Sequence, residues 1–159
     1  MATRSETFDD ILTRSRARRG VALVGVCNVT PDSFSDGGMY LTLERACARV
    51  DQLVAEGADL IDIGAESTRP GAPAVPPEEQ LGRMLGVVGY AAGRAAVSVD
   101  TTSPPVAAAC LEAGAVAVND VSCLADPGLA DVTAGARATL VLMHARGPQA
   151  AMRGFSECV

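Results

Sequence analysis

The sequence has no tryptophan, and aromatic residues make up only 3% of its 159 positions. That scarcity removes the stacking platforms on which single-stranded nucleic acids lie. Positive charge is also short: 13 basic against 19 acidic side chains leave a net charge of -6 and a pI near 4.7. Neither nucleic acid nor an anionic membrane is an expected partner of so acidic a chain. No apolar segment reaches membrane-spanning length, and the N-terminus lacks the charged-then-apolar layout of a signal peptide, so the expected location is cytoplasmic. Histidine occurs once, at His144, and no C-x-x-C pair exists among Cys27, Cys47, Cys110, Cys123 and Cys158. A zinc site of thiolates and imidazoles has no basis in that set. The unpaired spacing suits buried thiols of an intracellular protein.

What is present begins with composition: 48% hydrophobic and 20% charged residues are ample for a core and argue against disorder. The apolar run Val21–Cys27 predicts a buried strand. It leads into N-V-T-P-D-S-F-S-D-G-G at Asn28–Gly38. A loop that long and polar inside an α/β domain is usually functional. The pattern recurs, with further strands expected at Asp59–Ala65, Ala96–Thr102, Ala115–Ser122 and Ala138–His144. Between them, Thr42–Glu56, Glu78–Ala92, Pro104–Ala113 and Pro127–Ala136 carry helical patterns, punctuated by Gly57 and Gly114.

Strands apolar on both faces and alternating with helices imply a parallel sheet covered by helices. No G-x-G-x-x-G follows the first strand, which counts against a dinucleotide-binding open sheet. The expected fold is therefore α/β, a (β/α)8 or TIM barrel. Such barrels typically need about 250 residues, so the chain reads as one truncated after about five βα units. Residues 1–20 form a helical, basic extension and residues 21–159 the incomplete barrel. Arg14, Arg16, Arg18 and Arg19 in that extension read as a solvated helix end.

Polar side chains gather where the strands end: Asp62, Asp100, Asn119, Asp120 and His144. Carboxylates and an amide at neighbouring tips can pair with the donor and acceptor edge of a heterocycle. Asp62 and Asp120 equally suit the capping of loops or helices. With Ser103 expected to cap the helix at Pro104, Asp100 is left to face the cavity. Arg69, beside Ser67 and Thr68 in a proline-stiffened loop, suits a phosphate or carboxylate.

The segments Asn28–Gly38, I-D-I-G-A-E-S-T-R-P-G at Ile61–Gly71, S-V-D-T at Ser98–Thr101, N-D-V at Asn119–Val121 and L-M-H at Leu142–His144 together resemble the dihydropteroate synthases. They run in order from about Val21 to the end. Ala65 stands where many members have glycine. That family consists of pterin-binding barrels of folate synthesis. Its members are transferases that join p-aminobenzoate to 6-hydroxymethyl-7,8-dihydropterin diphosphate, giving 7,8-dihydropteroate and diphosphate with Mg²⁺ assisting. The resemblance implies that Asn28 helps ligate Mg²⁺ at the diphosphate and that Phe34, in the first loop, covers p-aminobenzoate. Thr68 and Arg69 would lie near the diphosphate and p-aminobenzoate. Asp100 and Asn119 would bind the pterin, with Met143 packed beside it, and Asp62 lies within a family motif. Asp100 and Arg69 are the candidate catalytic residues, one favouring a ring-centred cation and the other the departing charge. The full-length form is expected to be a homo-oligomer.

The family's later strands supply an Asp before a glycine-rich turn, a Lys, and an Arg-x-His. None of these lies within these 159 residues, and His144, on the fifth strand, is no substitute for that last histidine. The chain alone is therefore expected to lack activity, and its two apolar edge strands to favour association or poor solubility. Two other readings stay open. One is a folate-dependent methyltransferase serving a corrinoid protein; the other is a non-catalytic binding protein on the same scaffold.

Overall fold

The structure, a computed structural model, describes residues 7–30, 39–67 and 74–144. Ten elements alternate along the described residues. They are α1 (Phe8–Arg19), β1 (Val24–Asn28), α2 (Met39–Ala55), β2 (Leu60–Gly64), α3 (Pro77–Ala92), β3 (Ala96–Asp100), α4 (Pro104–Glu112), β4 (Ala117–Asp120), α5 (Gly128–Gly135) and β5 (Thr139–Leu142). All five strands are parallel and neighbour one another in chain order, β1-β2-β3-β4-β5. A doubly wound sheet reverses its order at a switch point, whereas a (β/α)8 barrel does not. The unbroken order therefore gives five consecutive units of the barrel type.

Local chemistry sets the helix ends. Thr7 and Asp10 make a reciprocal capping box on α1, with Asp10 N donating to Thr7 Oγ1 at 3.2 Å and Thr7 N to Asp10 Oδ2 at 3.0 Å. Prolines open α3 and α4, where a missing N–H costs nothing. Gly57 and Gly114, with φ of +97° and +112°, carry the chain out of α2 and α4 through a backbone conformation that side chains resist. Ser103 stands at the N-cap of α4 but makes no side-chain capping bond, contrary to expectation. Its backbone N–H instead donates to Thr101 Oγ1 at 3.2 Å.

Alternation along the strands sorts the two faces. Cys27, Ile61, Ile63, Val97, Val99 and Val118 are buried against the helices. They meet Val50 and Leu53 of α2, Met84 and Val88 of α3, Val106 and Cys110 of α4, and Leu129 of α5. The opposite face carries Val24, Val26 and Asn28 of β1, in register with Leu60, Asp62 and Gly64 of β2. Val24 and Val26 are each 53% exposed, in contrast to the fully buried valines of β3. In a closed barrel this face turns inward.

Helix α1 lies against the N-terminal ends of the strands, with Ile11 and Ser15 buried beneath it. Arg19 pairs with Asp59 and donates to Gly57 O at 3.0 Å, while Leu23 N donates to Asp59 Oδ2 at 2.9 Å. Arg19 thus also docks the helix, while Arg14, Arg16 and Arg18 are exposed, as a solvated helix end requires. A cavity of about 680 Å³ remains there, lined by Arg14, Arg18, Gly57, Asp59, Arg94 and Gly114. The C-terminal ends of α2, α3 and α4 converge on it, and their carbonyl ends carry partial negative charge. The arginines answer that charge: Arg94, for example, donates to Tyr90 O at 3.0 Å and pairs with Asp51 at 3.0 Å.

Candidate active site at the strand tips

Register places Asn28, Gly64, Asp100, Asn119 and Val141 in one row across the C-terminal ends of the five strands. One layer deeper on the same face lie Val26, Asp62, Ser98, Ala117 and Thr139. Three residues expected at the site, Asn28, Asp100 and Asn119, therefore share a row, and Asp62 lies directly beneath it. Asn28 and Asp100 flank β2 and reach toward each other over Gly64. A point one Cβ above Gly64 is 3.6 Å from Asn28 Oδ1 and 3.7 Å from Asp100 Oδ2.

The carboxylates here are held against their ordinary chemistry. Burial, followed by the negative charges of Asp62, Glu66 and Asp120, pushes Asp100 up to about 7. Its charge thus forms only around neutral pH. Burial also raises Asp62, outweighing hydrogen bonds from Ser98 and Asn119. Asn119 Nδ2 donates to Asp62 Oδ2 at 3.4 Å. Asp62 Oδ1 is buried and has no hydrogen-bond partner among the described residues. An acceptor left buried and unanswered costs about 1–3 kcal/mol, so such atoms call for an explanation.

Asp120 belongs elsewhere. It is fully buried, and Oδ1 accepts from Ser122 N at 2.8 Å and Ser122 Oγ at 2.6 Å, while Oδ2 accepts from Leu124 N. These bonds hold a turn in which Cys123 and Leu124 take φ of 59° and 61°, the left-handed region non-glycine residues avoid. Asp120 therefore ties a loop rather than facing a ligand. Its turn also leaves Cys123 exposed, unlike buried Cys27 and Cys110, whose thiols burial pushes to about 11.

Sequence reasoning missed Gln80. Its Oε1 accepts from Thr101 Oγ1 at 3.1 Å, and its Nε2 donates to Glu66 Oε2 at 3.0 Å and Val75 O at 2.8 Å. One buried amide thus joins the residue after Asp100 to segments 65–67 and 74–76. Arg83 adds a bond to Ala65 O at 2.9 Å. The signal was available: Gln80 is in phase with buried Met84, Val87, Val88 and Ala91 on α3.

Met143 is half-buried, donates its N–H to Asp120 O at 2.9 Å, and follows Val141 by two residues. His144 is exposed at the end of the described chain. Phe34, Thr68, Arg69 and Cys158 lie outside the described residues. Among the described residues no group of three or more His, Cys, Asp or Glu side chains could hold a metal ion.

Parallel βα units in unbroken chain order, with a row of acid and amide side chains at the strand tips, define a protein of the (β/α)8-barrel class. The chain belongs to the pterin binding enzyme family, whose model matches residues 24–156. It is 45% identical over 124 residues to a dihydropteroate synthase of Staphylococcus haemolyticus, covering 77% of this chain and 46% of that protein. With the enzyme of Mycobacterium leprae the identity is 48% over 128 residues, covering 79% and 45%. Among solved structures, the Xanthomonas albilineans dihydropteroate synthase with 4-aminobenzoic acid matches with a TM-score of 0.74 and 50% identity, over 79% of this chain and 47% of that one. The chain thus spans about half the length of these relatives.

Proposed function

We propose that this chain forms the pterin-and-diphosphate side of a dihydropteroate synthase site. The observation that carries this reading is the tip row, in which Asp100 and Asn119 sit in register on adjacent strands and Asn28 faces Asp100 across Gly64. The similar Xanthomonas albilineans enzymes, solved with 4-aminobenzoic acid and with 7,8-dihydropteroate, support the same substrates here.

The chain's residues have distinct tasks in the reaction. Asp100 and Asn119 bind the edge of the dihydropterin, where a carboxylate accepts and an amide both donates and accepts. The bond from the ring's methylene carbon to the diphosphate oxygen breaks, and the oxygen keeps the electron pair. The p-aminobenzoate nitrogen then bonds to that carbon and loses a proton. An ionised Asp100 close to the ring stabilises the positive charge that develops there. Arg69 and Thr68 favour the departing diphosphate, Phe34 covers p-aminobenzoate, and Met143 packs beside the ring.

Mg²⁺, when bound, neutralises diphosphate charge. Asn28 fits it as a single neutral oxygen donor, because this ion keeps several waters and takes substrate phosphates in place of a protein cage. No helix among the described residues is long and apolar enough to cross a membrane, which suits a cytoplasmic enzyme. Exposed Val24, Val26, Val141 and Leu142 on the two edge strands support an association that covers those edges in this chain; a homo-oligomer is proposed separately for the full-length form.

Calorimetric titration with the dihydropterin diphosphate tests the reading. Micromolar or tighter uptake, reduced about a hundredfold in Asn119→Ala, is expected (roughly 2.7 kcal/mol). Equal affinity in the two proteins would refute it.

A further inference from the structure

The two buried glycines of the strands differ in why they lack a side chain. A Cβ at Gly25 would lie 3.0–3.2 Å from Leu53 and Ala58, so helix packing accounts for it. At Gly64 no helix is involved. A Cβ there would meet Asp100 Cβ at 3.3 Å, Asn28 Oδ1 at 3.6 Å and Asp100 Oδ2 at 3.7 Å. Backbone conformation does not require glycine either, since Gly64 is not among the glycines of positive φ. What the absent side chain leaves is a notch at the centre of the tip row. Polar atoms of Asn28 and Asp100 border it, and Asp62, with its unanswered Oδ1, lies two residues earlier on the same face.

Resting on the synthase reading above, we propose that Gly64 is a specificity-determining residue that seats the carbon undergoing substitution. The dihydropterin end of the substrate lies toward Asp100 and Asn119 and the diphosphate end toward Asn28, so the methylene joining them crosses β2 over Gly64. At that carbon the C–O bond breaks, with the electron pair leaving on diphosphate, and the C–N bond to p-aminobenzoate forms with loss of a proton from nitrogen. Nucleophile and leaving group both need room around it, and a methyl group at position 64 would occupy that room. The notch therefore admits the reacting methylene together with its incoming nucleophile and departing diphosphate, which a larger residue at position 64 would crowd out.

The test uses the native product at its full length, wild type and Gly64→Ala, with thermal unfolding as the check on folding. Calorimetry is run with three probes: 6-hydroxymethyl-7,8-dihydropterin, inorganic diphosphate with Mg²⁺, and the joined diphosphate ester. The variant is expected to bind each separate piece within about threefold of wild type and the joined ester at least about thirtyfold more weakly. Unchanged affinity for the ester, or an equal loss for the free dihydropterin, overturns the proposal. Wild type that binds none of the probes overturns the synthase reading, and the seat with it. Should the variant not fold, wild type labelled with ¹³C-glycine decides the matter. A nuclear Overhauser contact between Gly64 Hα and the ester's methylene protons supports the seat, and its absence in a saturated complex overturns it.

Discussion

At the N-terminal ends of the strands Asp59 is answered by Leu23 N and Arg19; at the C-terminal ends Asp62 keeps a buried oxygen with no partner among the described residues. The same contrast appears in protonation. Burial alone would raise Asp59, but the hydrogen bond from Leu23 N and the pairing with Arg19 bring it below its ordinary value. At the other end, burial and neighbouring carboxylates raise Asp62 and take Asp100 up to about 7. One end of the sheet satisfies its charges within the chain and the other leaves them waiting for something. In barrels the first behaviour belongs to stability and the second to chemistry.

That division can be broken by substitutions chosen at each end. The largest effect is expected at Gln80, on the tip side, which bears on stability and on binding alike. Gln80→Ala leaves Thr101, Glu66 and Val75 short of partners, and denaturant melts should show a loss of about 3 kcal/mol together with weaker ligand binding. Next comes Asn119→Ala, whose hundredfold affinity loss should come with a stability loss of no more than about 1 kcal/mol, since the bond it gives up to Asp62 is long, at 3.4 Å. Asp59→Ala should do the reverse, losing about 2 kcal/mol in urea unfolding with unchanged affinity. A tip residue that cost stability alone, or a floor residue that cost affinity alone, would dissolve the distinction.

The smallest effect sharpens it. Asp100 titrates at about 7 when folded, against about 4 when unfolded, so the folded state takes up a proton between those values. Stability should therefore fall as pH rises from about 4 to about 7 and stay level above. Asp100→Asn removes that slope. Melts at pH 8 should show the variant about 1–3 kcal/mol more stable than wild type, shrinking toward nothing at pH 4. A wild-type profile that rose over that window would mean the site's carboxylates are satisfied after all.

How much of this could be read beforehand depends on what each residue's neighbours are. Strands were legible because runs such as Leu60–Gly64 and Ala96–Asp100 are apolar on both faces, and the helices because their stripes recur at three and four residues. The edges of the elements were less so. Val21 looks like strand, yet it is 55% exposed and the ladder starts at Val24, because α1 and Asp59 take up the chain before it. Asp100 and Asn119 were singled out from their places at strand ends, and Asn28 from the family motif. Asp120 suited a loop tie equally well, and its bonds to Ser122 and Leu124 make it one. Gln80 and Gly64 went unread for opposite reasons. One is polar in an apolar stripe, and the other acts through having nothing there.

The strictly sequential order of the strands bears on how the chain acquires its shape. Each new strand adds to the edge left by the one before, at a separation of a single βα unit, so no early segment waits for a distant partner. Short separations between contacting segments favour rapid folding, and growth from the N-terminus matches the direction in which a ribosome releases the polypeptide. Assembly can then proceed unit by unit during synthesis, with β5 as the growing point to which any following strand would attach.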